Sequence, residues 1–171
     1  MAETNEKLPA CYFCEYDDRG FPCRNDDGTL NMDRLAKASL VICQEKSGTP
    51  LYKENFWSSF CEKEIVREAP ETAFQFIVYA LPMFKTNREI AVLAAGPLED
   101  LVVAHGEQMI DAIELEASKN ERFRILLSGI WGEARTNPEV WRRIQVAVGD
   151  GPHIDDDHRT PQGSRKSDSG A

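Results

Sequence analysis

Residues 70–81 read Pro-Glu-Thr-Ala-Phe-Gln-Phe-Ile-Val-Tyr-Ala-Leu, and this stretch decides the fold. Pro70 suits the first position of a helix, where its missing N–H costs nothing, and Glu71 follows in the first turn, where a negative charge is favourable. Apolar side chains then occupy nearly every side of the helix, which is typical of a helix buried all round. Pro82 limits its end. The stretch therefore predicts a central helix packed among others.

Helical patterns extend on both sides of this stretch. The further predicted helices are residues 32–47, 53–69, 87–95, 96–106, 109–117, 120–131 and 137–147. Asn31 or Asp33 can cap the first, Asn120 and Asn137 can cap the last two, and Gly106 is a stop signal. No run of strict alternation competes with these patterns. The sequence predicts an all-α domain, either a compact bundle or a short superhelical stack of about six to eight helices.

Charge divides the chain of 171 residues, with net charge −9, into three parts. Residues 1–31 form an irregular, cysteine-bearing head with seven acidic and three basic side chains, and residues 149–171 form a tail with five and three. The helical domain, residues 32–148, has 17 and 14 and is close to balanced. Because the tail has Ile154 as its one large apolar residue, we predict that it is disordered. A nucleic-acid partner is disfavoured, since phosphates attract basic surfaces.

The sequence also bears on location. No apolar run approaches the roughly 18–20 residues that cross a bilayer, so we expect no membrane-spanning helix. The first seven residues, Met-Ala-Glu-Thr-Asn-Glu-Lys, lack the basic start and apolar stretch of a signal peptide. We therefore expect a cytoplasmic protein.

Five cysteines suggest a possible metal site. Cys11 and Cys14 have the Cys-x-x-Cys spacing of a zinc knuckle, and Cys23 can supply a third thiolate. The fourth ligand of a closed site is missing, and an odd count without a secretory signal argues for reduced thiols. Zinc bound by these three cysteines is therefore an alternative to incidental thiols. Cys43 and Cys61 fall in helical apolar patterns and are predicted to be core residues.

Acid–base candidates cluster between Gly96 and Gly106. Asp100 and His105 could line a pocket there together with Glu99, but neither acid is three or four residues from the histidine, so they do not share its helix face. Roles at helix ends are simpler, with carboxylates at the positive end and the histidine at the negative end. The motifs of phosphate-binding loops, of serine hydrolases and of zinc peptidases do not occur.

Two further groups of acidic side chains invite a metal interpretation. Asp111, Glu114 and Glu116 lack the Glu-x-x-His pairing of di-metal bundles, and we expect Asp111 and Glu114 to form a solvated face. His153 and His158 flank three aspartates of the tail, which is better interpreted as a solvated charge run.

Residues 94–101 read Ala-Ala-Gly-Pro-Leu-Glu-Asp-Leu, and His105 and Gly106 follow. This block resembles the signature of a bacterial domain-of-unknown-function family, number 6869. Further stretches that look like family positions are residues 56–60, 68–71, 110–114 and 122–131. The resemblance covers about residues 35–148 and leaves out the head and the tail. It implies domain boundaries and no particular activity.

Three tryptophans are candidates for contact with a partner. Trp57, Trp131 and Trp141 each fall on a predicted apolar stripe, so burial in the core is the default, but a half-exposed one would make an interface anchor. We interpret the chain as a non-enzymatic protein-interaction domain, by analogy an inhibitor or immunity-like partner. The alternatives are a small enzyme or ligand-binding bundle with a pocket near Gly96–Gly106, and a zinc-bearing adaptor.

Overall fold

Eight α-helices account for most of residues 22–154, the part of the chain that the computed structural model describes. They are α1 (Met32–Gln44), α2 (Pro50–Asn55), α3 (Trp57–Glu68), α4 (Pro70–Ala80), α5 (Asn87–Leu93), α6 (Glu99–Lys119), α7 (Glu121–Leu127) and α8 (Pro138–Val148). Within these residues there is no β-strand, and a single antiparallel bridge joins Arg24 and Leu30. The all-α prediction is confirmed.

Local signals place most helix starts. The side chains of Asn31, Asn120 and Asn137 each accept a hydrogen bond from a backbone N–H two or three residues later, as predicted for N-caps. Pro70 opens α4, which ends at Ala80, shortly before Pro82. These starts agree with the sequence because a cap acts within one helical turn.

The centre of the molecule is formed by α4 and α6. Seven of the 11 residues of α4 are buried, and α4 contacts α1, α3 and α6. The longer α6 contacts α3, α4, α7 and α8. In a superhelical stack each unit would touch only its neighbours in sequence, whereas here α1 reaches α4 and α5. Of the two predicted architectures, the protein therefore adopts the compact bundle.

The predicted helix over residues 53–69 is two helices. Thr49 accepts a hydrogen bond from the Tyr52 N–H and Pro50 takes the first position, so α2 starts earlier than predicted. At its end the Phe56 N–H bonds to the Lys53 carbonyl, a tighter step of three residues. The chain then begins α3 at the next residue.

The helix stop predicted at Gly106 coincides with a kink in α6. Two helical segments meet at His105, whose φ and ψ of −134° and 20° are not helical, and α6 spans 21 residues across this kink. A Cβ atom on Gly106 would lie 2.8 Å from Val140 Cγ1 of α8. The glycine therefore also permits the close approach of α6 and α8.

Both ends of the predicted domain need adjustment. A π-helical turn, Ala94–Leu98, joins α5 to α6, and the break predicted at Gly96 is present as a kink, since its φ and ψ of −100° and −109° are not helical. Beyond α8, Ile154 belongs to the hydrophobic core, so packed chain extends six residues past the predicted end at Val148. Cys23 and Leu30 of the head are buried as well. The remainder of the predicted disordered tail, residues 155–171, lies outside the described residues.

Candidate functional site

The short connection after α7 presents Trp131 to solvent. Helix α7 ends at Leu127, so the predicted apolar stripe through residue 131 is wrong in its last turn. Trp131 instead lies in a loop before the 3₁₀ turn Glu133–Arg135, and 79% of its surface is exposed. It is the most exposed large hydrophobic residue among residues 22–154. We call residues 128–136 the Trp131 loop.

A buried carboxylate, that of Glu99, forms hydrogen bonds that fix this loop. Glu99, the first residue of α6, is only 6% exposed, and its Oε2 accepts a hydrogen bond of 2.6 Å from the Trp131 backbone N–H. Its other oxygen pairs with the Arg135 guanidinium. The carboxylate also lies at the positive end of the α6 dipole. These contacts compensate the burial of the Glu99 charge and fix both ends of the exposed turn.

Two glycines allow the same loop to pack closely against the helices. A Cβ atom on Gly129 would lie 2.9 Å from Ala94 Cβ, and one on Gly132 would lie 3.2 Å from Val103 Cγ2. The Thr136 hydroxyl donates a hydrogen bond of 2.8 Å to the Gly132 carbonyl. The backbone on either side of Trp131 therefore packs closely against α6 and the π-helical turn. An anchor held in this way loses little further conformational entropy on binding.

The other two tryptophans are placed differently. Trp57 is buried at the start of α3, which agrees with the core interpretation. Trp141 on α8 is half-buried and packs against the core cluster. Of the three candidates for partner contact, Trp131 is the one that offers most of its side chain to solvent.

Asp100 and His105 have different surroundings. His105 borders a polar cleft of about 240 Å³ together with Gln108, Asn137 and Val140, and Asp100 is not part of its lining. Asp100 lies near Glu62 of α3, where its charge acts on that carboxyl group. The cleft at the kink of α6 therefore does not bring the two side chains together, and a shared pocket near Gly96–Gly106 stays a prediction.

Glu62 is the most perturbed acid of the described residues. Burial raises its pKa to about 7, the negative charge of Asp100 adds to this rise, and the hydrogen bond with Ser39 opposes it. The Ser39 hydroxyl contacts Glu62 Oε1 and also lies 2.9 Å from the Leu35 carbonyl oxygen. The hydroxyl has one proton, which it can donate either to the Leu35 carbonyl or to Glu62 Oε1. The group can exchange a proton near neutral pH, but it borders neither the cleft at His105 nor the open cleft of about 530 Å³ beside α1.

The carboxylates of α6 have structural partners. Arg143 of α8 donates hydrogen bonds of 2.8 Å to Glu114 and 2.7 Å to Asp111, so the predicted solvated face is an ion-paired contact between two helices. These bonds lower the pKa of Glu114. Glu116 is buried and pairs with Lys119. Within residues 22–154 no group of three or more histidine, cysteine or acidic side chains is arranged to hold a metal ion.

Comparison with known proteins gives one match. A family model described as a family of unknown function, DUF6869, matches residues 45–151, which is more than half of the chain. The chain belongs to the DUF6869 family. No curated protein and no solved structure matches it. The resemblance predicted over about residues 35–148 is therefore confirmed.

The DUF6869 segment contains the complete Trp131 loop with its support, Glu99. It leaves out four of the five cysteines and contains Cys61. Cys11 and Cys14 lie outside the described residues, and Cys23 is buried, so zinc at these three cysteines stays a prediction. Cys43 and Cys61 are buried, as expected of core residues.

Sequence reasoning missed the parts of the DUF6869 segment that support Trp131. Glu99 was interpreted as a helix-end charge, which is correct, but its bond to the Trp131 backbone joins positions 32 residues apart. Gly129 and Gly132, two glycines bracketing Ile-Trp, were the available local signal for a turn.

No helix among residues 22–154 has the length and apolar character that crossing a membrane requires.

Proposed function

We propose that this DUF6869 chain is a protein-binding module and that Trp131 is its anchor. The main support for this proposal is that Trp131 is 79% exposed while the backbone of its loop is fixed by Glu99. Exposure alone would be weak support, because scattered apolar residues are common on protein surfaces. Trp131 differs from such scattered residues because its turn is held by hydrogen bonds and by close packing at two glycines. Preorganisation of this kind lowers the entropy cost of binding.

The size of the effect follows from the exposed area. A tryptophan buries about 200 Å², so covering the exposed four-fifths in an interface yields roughly 4 kcal/mol at 25 cal/mol per Å². Values of this size are typical of the few residues that dominate an interface. We therefore expect Trp131→Ala to weaken partner binding at least 30-fold.

The protein-binding role is favoured over an acid–base enzyme because Asp100 is not among the residues that line the cleft at His105. The zinc adaptor rests on cysteines that lie mostly outside the described residues. A bacterial source and a cytoplasmic location accord with this proposal and stay predictions.

The test uses site-specific photo-crosslinking in the native host. A photoreactive phenylalanine analogue is placed at Ala134, an exposed residue of the Trp131 loop, so that Trp131 is kept, and as a control at Val146 of α8, which is 69% exposed. The proposal expects one protein to crosslink at 134 and not at 146. That protein, once purified, should bind the wild-type chain and the Val146→Ala variant equally and the Trp131→Ala variant at least 30-fold more weakly. Equal affinity of all three forms would refute the proposal, as would crosslinking that does not distinguish the two positions.

A further inference from the structure

We infer that one face of α2 and α3 binds an acidic, leucine-bearing helix of a partner protein. Other elements form the Trp131 loop, so this inference goes beyond the proposed function and does not depend on it. It rests on three aromatic rings along this face and on two lysines that bracket them.

The three rings belong to Tyr52, Phe56 and Phe60, which we call the aromatic stripe. They follow one another at steps of four residues, and the ring centroids of neighbouring members are 5.5 Å apart. Phe56, between the two helices, has helical φ and ψ of −62° and −20°. The rings therefore stay on one face across the junction of α2 and α3.

The hydrophobic core uses another side of α3. Trp57, Cys61 and Ile65 are buried, whereas Phe56 and Phe60 are 40% and 41% exposed. Single exposed apolar residues are normal, but contiguous ones mark interaction sites. Covering the two phenylalanines in an interface removes further apolar surface from water, which favours binding.

Two lysines bracket the stripe. Lys53 precedes Phe56 by three residues and Lys63 follows Phe60 by three, so both share the face of the rings. They are about 15 Å apart along the helical path, at about 1.5 Å per residue. Both are exposed, and neither has an acidic partner within residues 22–154.

The nearby acids do not cancel this positive charge. Glu64 and Glu68 both pair with Arg67. Glu54 belongs to the lining of the cleft beside α1, of which neither Lys53 nor the rings form part. The free charge on the face of the aromatic stripe is therefore positive, although the whole chain has a net charge of −9.

This contrast decides the kind of partner. At physiological salt a charge acts over only about 8 Å, so a short acidic segment on the stripe is attracted by the lysines and screened from more distant acids. A membrane or a nucleic acid is a large array of negative charge and would also meet the acidic remainder of the chain. Charge complementarity thus favours a short acidic segment of a protein.

The spacing of the stripe defines what that segment looks like. A helix with the pattern Glu-x-x-Leu-x-x-x-Leu-x-x-Glu places two leucines and two carboxylates on one face, at the same steps of three, four and three residues. Its side chains can pack between the rings, and its carboxylates can reach the two lysines. The pattern is symmetric, so it fits in either direction.

The experiment measures binding of a fluorescein-labelled, alanine-based peptide with this pattern to the full chain, by fluorescence anisotropy at 150 mM NaCl. We expect saturable binding below 1 mM protein. Replacing both phenylalanines, Phe56→Ala with Phe60→Ala, should weaken binding at least tenfold. Replacing both lysines, Lys53→Gln with Lys63→Gln, should weaken it at least threefold. The lysine side chains are exposed, so this second variant keeps the test valid if the first one folds poorly.

The matched control is Lys85→Gln with Arg88→Gln, which removes two exposed positive charges near the start of α5. It should change the affinity less than 1.5-fold. A peptide with glutamine in place of both glutamates should bind the wild type at least threefold more weakly, and 1 M NaCl should remove this difference.

Three results would overturn the inference. The first is no binding of the peptide by the wild type at 1 mM protein. The second is an equal loss in the control variant, which would show general attraction to acidic peptides. The third is binding of phosphatidylglycerol vesicles, but not of the peptide, through the same rings and lysines, which would make this face a membrane-binding surface. The crosslinking experiment on the Trp131 loop is decided separately from all three.

Discussion

Replacing Glu62 by glutamine should make the protein more stable at pH 8 and leave it nearly unchanged at pH 4.5. Glutamine keeps the shape of the side chain, and its amide oxygen can accept the hydrogen bond from Ser39. It removes the charge that burial and Asp100 disfavour. The substitution therefore mimics the protonated form that the surroundings of Glu62 prefer.

The magnitude follows from the pKa of Glu62, which burial raises from 4.5 to about 7 in the folded protein. One pKa unit corresponds to about 1.4 kcal/mol, so the ionised side chain costs the folded state roughly 3 kcal/mol. Because the folded state binds the proton more tightly, this contribution to stability is fully present below pH 4.5. It is lost as the pH rises through about 7.

Urea unfolding at pH 4.5, 6, 7 and 8, followed by circular dichroism, measures this difference. Glu62→Gln should gain about 2–3 kcal/mol over the wild type at pH 8 and less than about 1 kcal/mol at pH 4.5. Comparing the two proteins at each pH cancels other acids, such as Glu114 and Glu139, whose pKa values are lowered by arginine partners. Glu68→Gln, an exposed change on the same helix, should show no such dependence. A gain that is constant from pH 4.5 to 8, or a wild type that is the more stable at pH 8, would refute the reasoning.

Three further substitutions test the packing that supports the site. Gly106→Ala should cost about 1–3 kcal/mol of unfolding free energy despite alanine's better helix propensity, because its Cβ would overlap Val140. Adding Val140→Ala should recover part of this cost, and strictly additive losses would contradict it. Glu99→Gln should cost about 1–3 kcal/mol and speed amide exchange over residues 130–135, so unchanged exchange there would argue against the tether to Trp131. Phe76→Ala should cost about 3–5 kcal/mol in urea unfolding, since Phe76 is fully buried in α4; a loss under 1 kcal/mol would contradict its central position.

Local signals were predicted well because they act over one turn. The caps at Asn31, Asn120 and Asn137 and the start at Pro70 need only the residues that follow them. Gly106 shows the limit of this local reasoning. A glycine after a histidine predicts a helix end, and α6 is kinked at His105. The same glycine also permits another helix to come close, and that contact is with Val140, 34 positions away in sequence.

The geometry of the candidate site depends more on contacts between residues distant in sequence than the positions of the helices do. The exposure of Trp131 could not be predicted from its apolar neighbours, because the stripe of α7 continues in sequence to Ile130, which is buried. The turn that exposes Trp131 is held by Glu99 from another helix. The pKa of Glu62 also depends on distant contacts. It rises to about 7 because packing buries the side chain and brings the charge of Asp100 near it from another helix, while the hydrogen bond with Ser39 opposes this rise.

The sequence by itself determined the helical class, the family, most helix starts and the identity of the central helix, because periodicity, caps and proline positions are properties of short segments. Tertiary structure decided that Gly106 lets α6 and α8 approach each other closely and that Trp131 is the exposed tryptophan. It also decided that Glu62 is the carboxylate with a strongly raised pKa. Each of those outcomes depends on burial and on partners from elements distant in sequence. Glu99 unites the two levels: its position at a helix start is readable from the chain, and its hold on the Trp131 loop exists only once α6 and the loop have packed together.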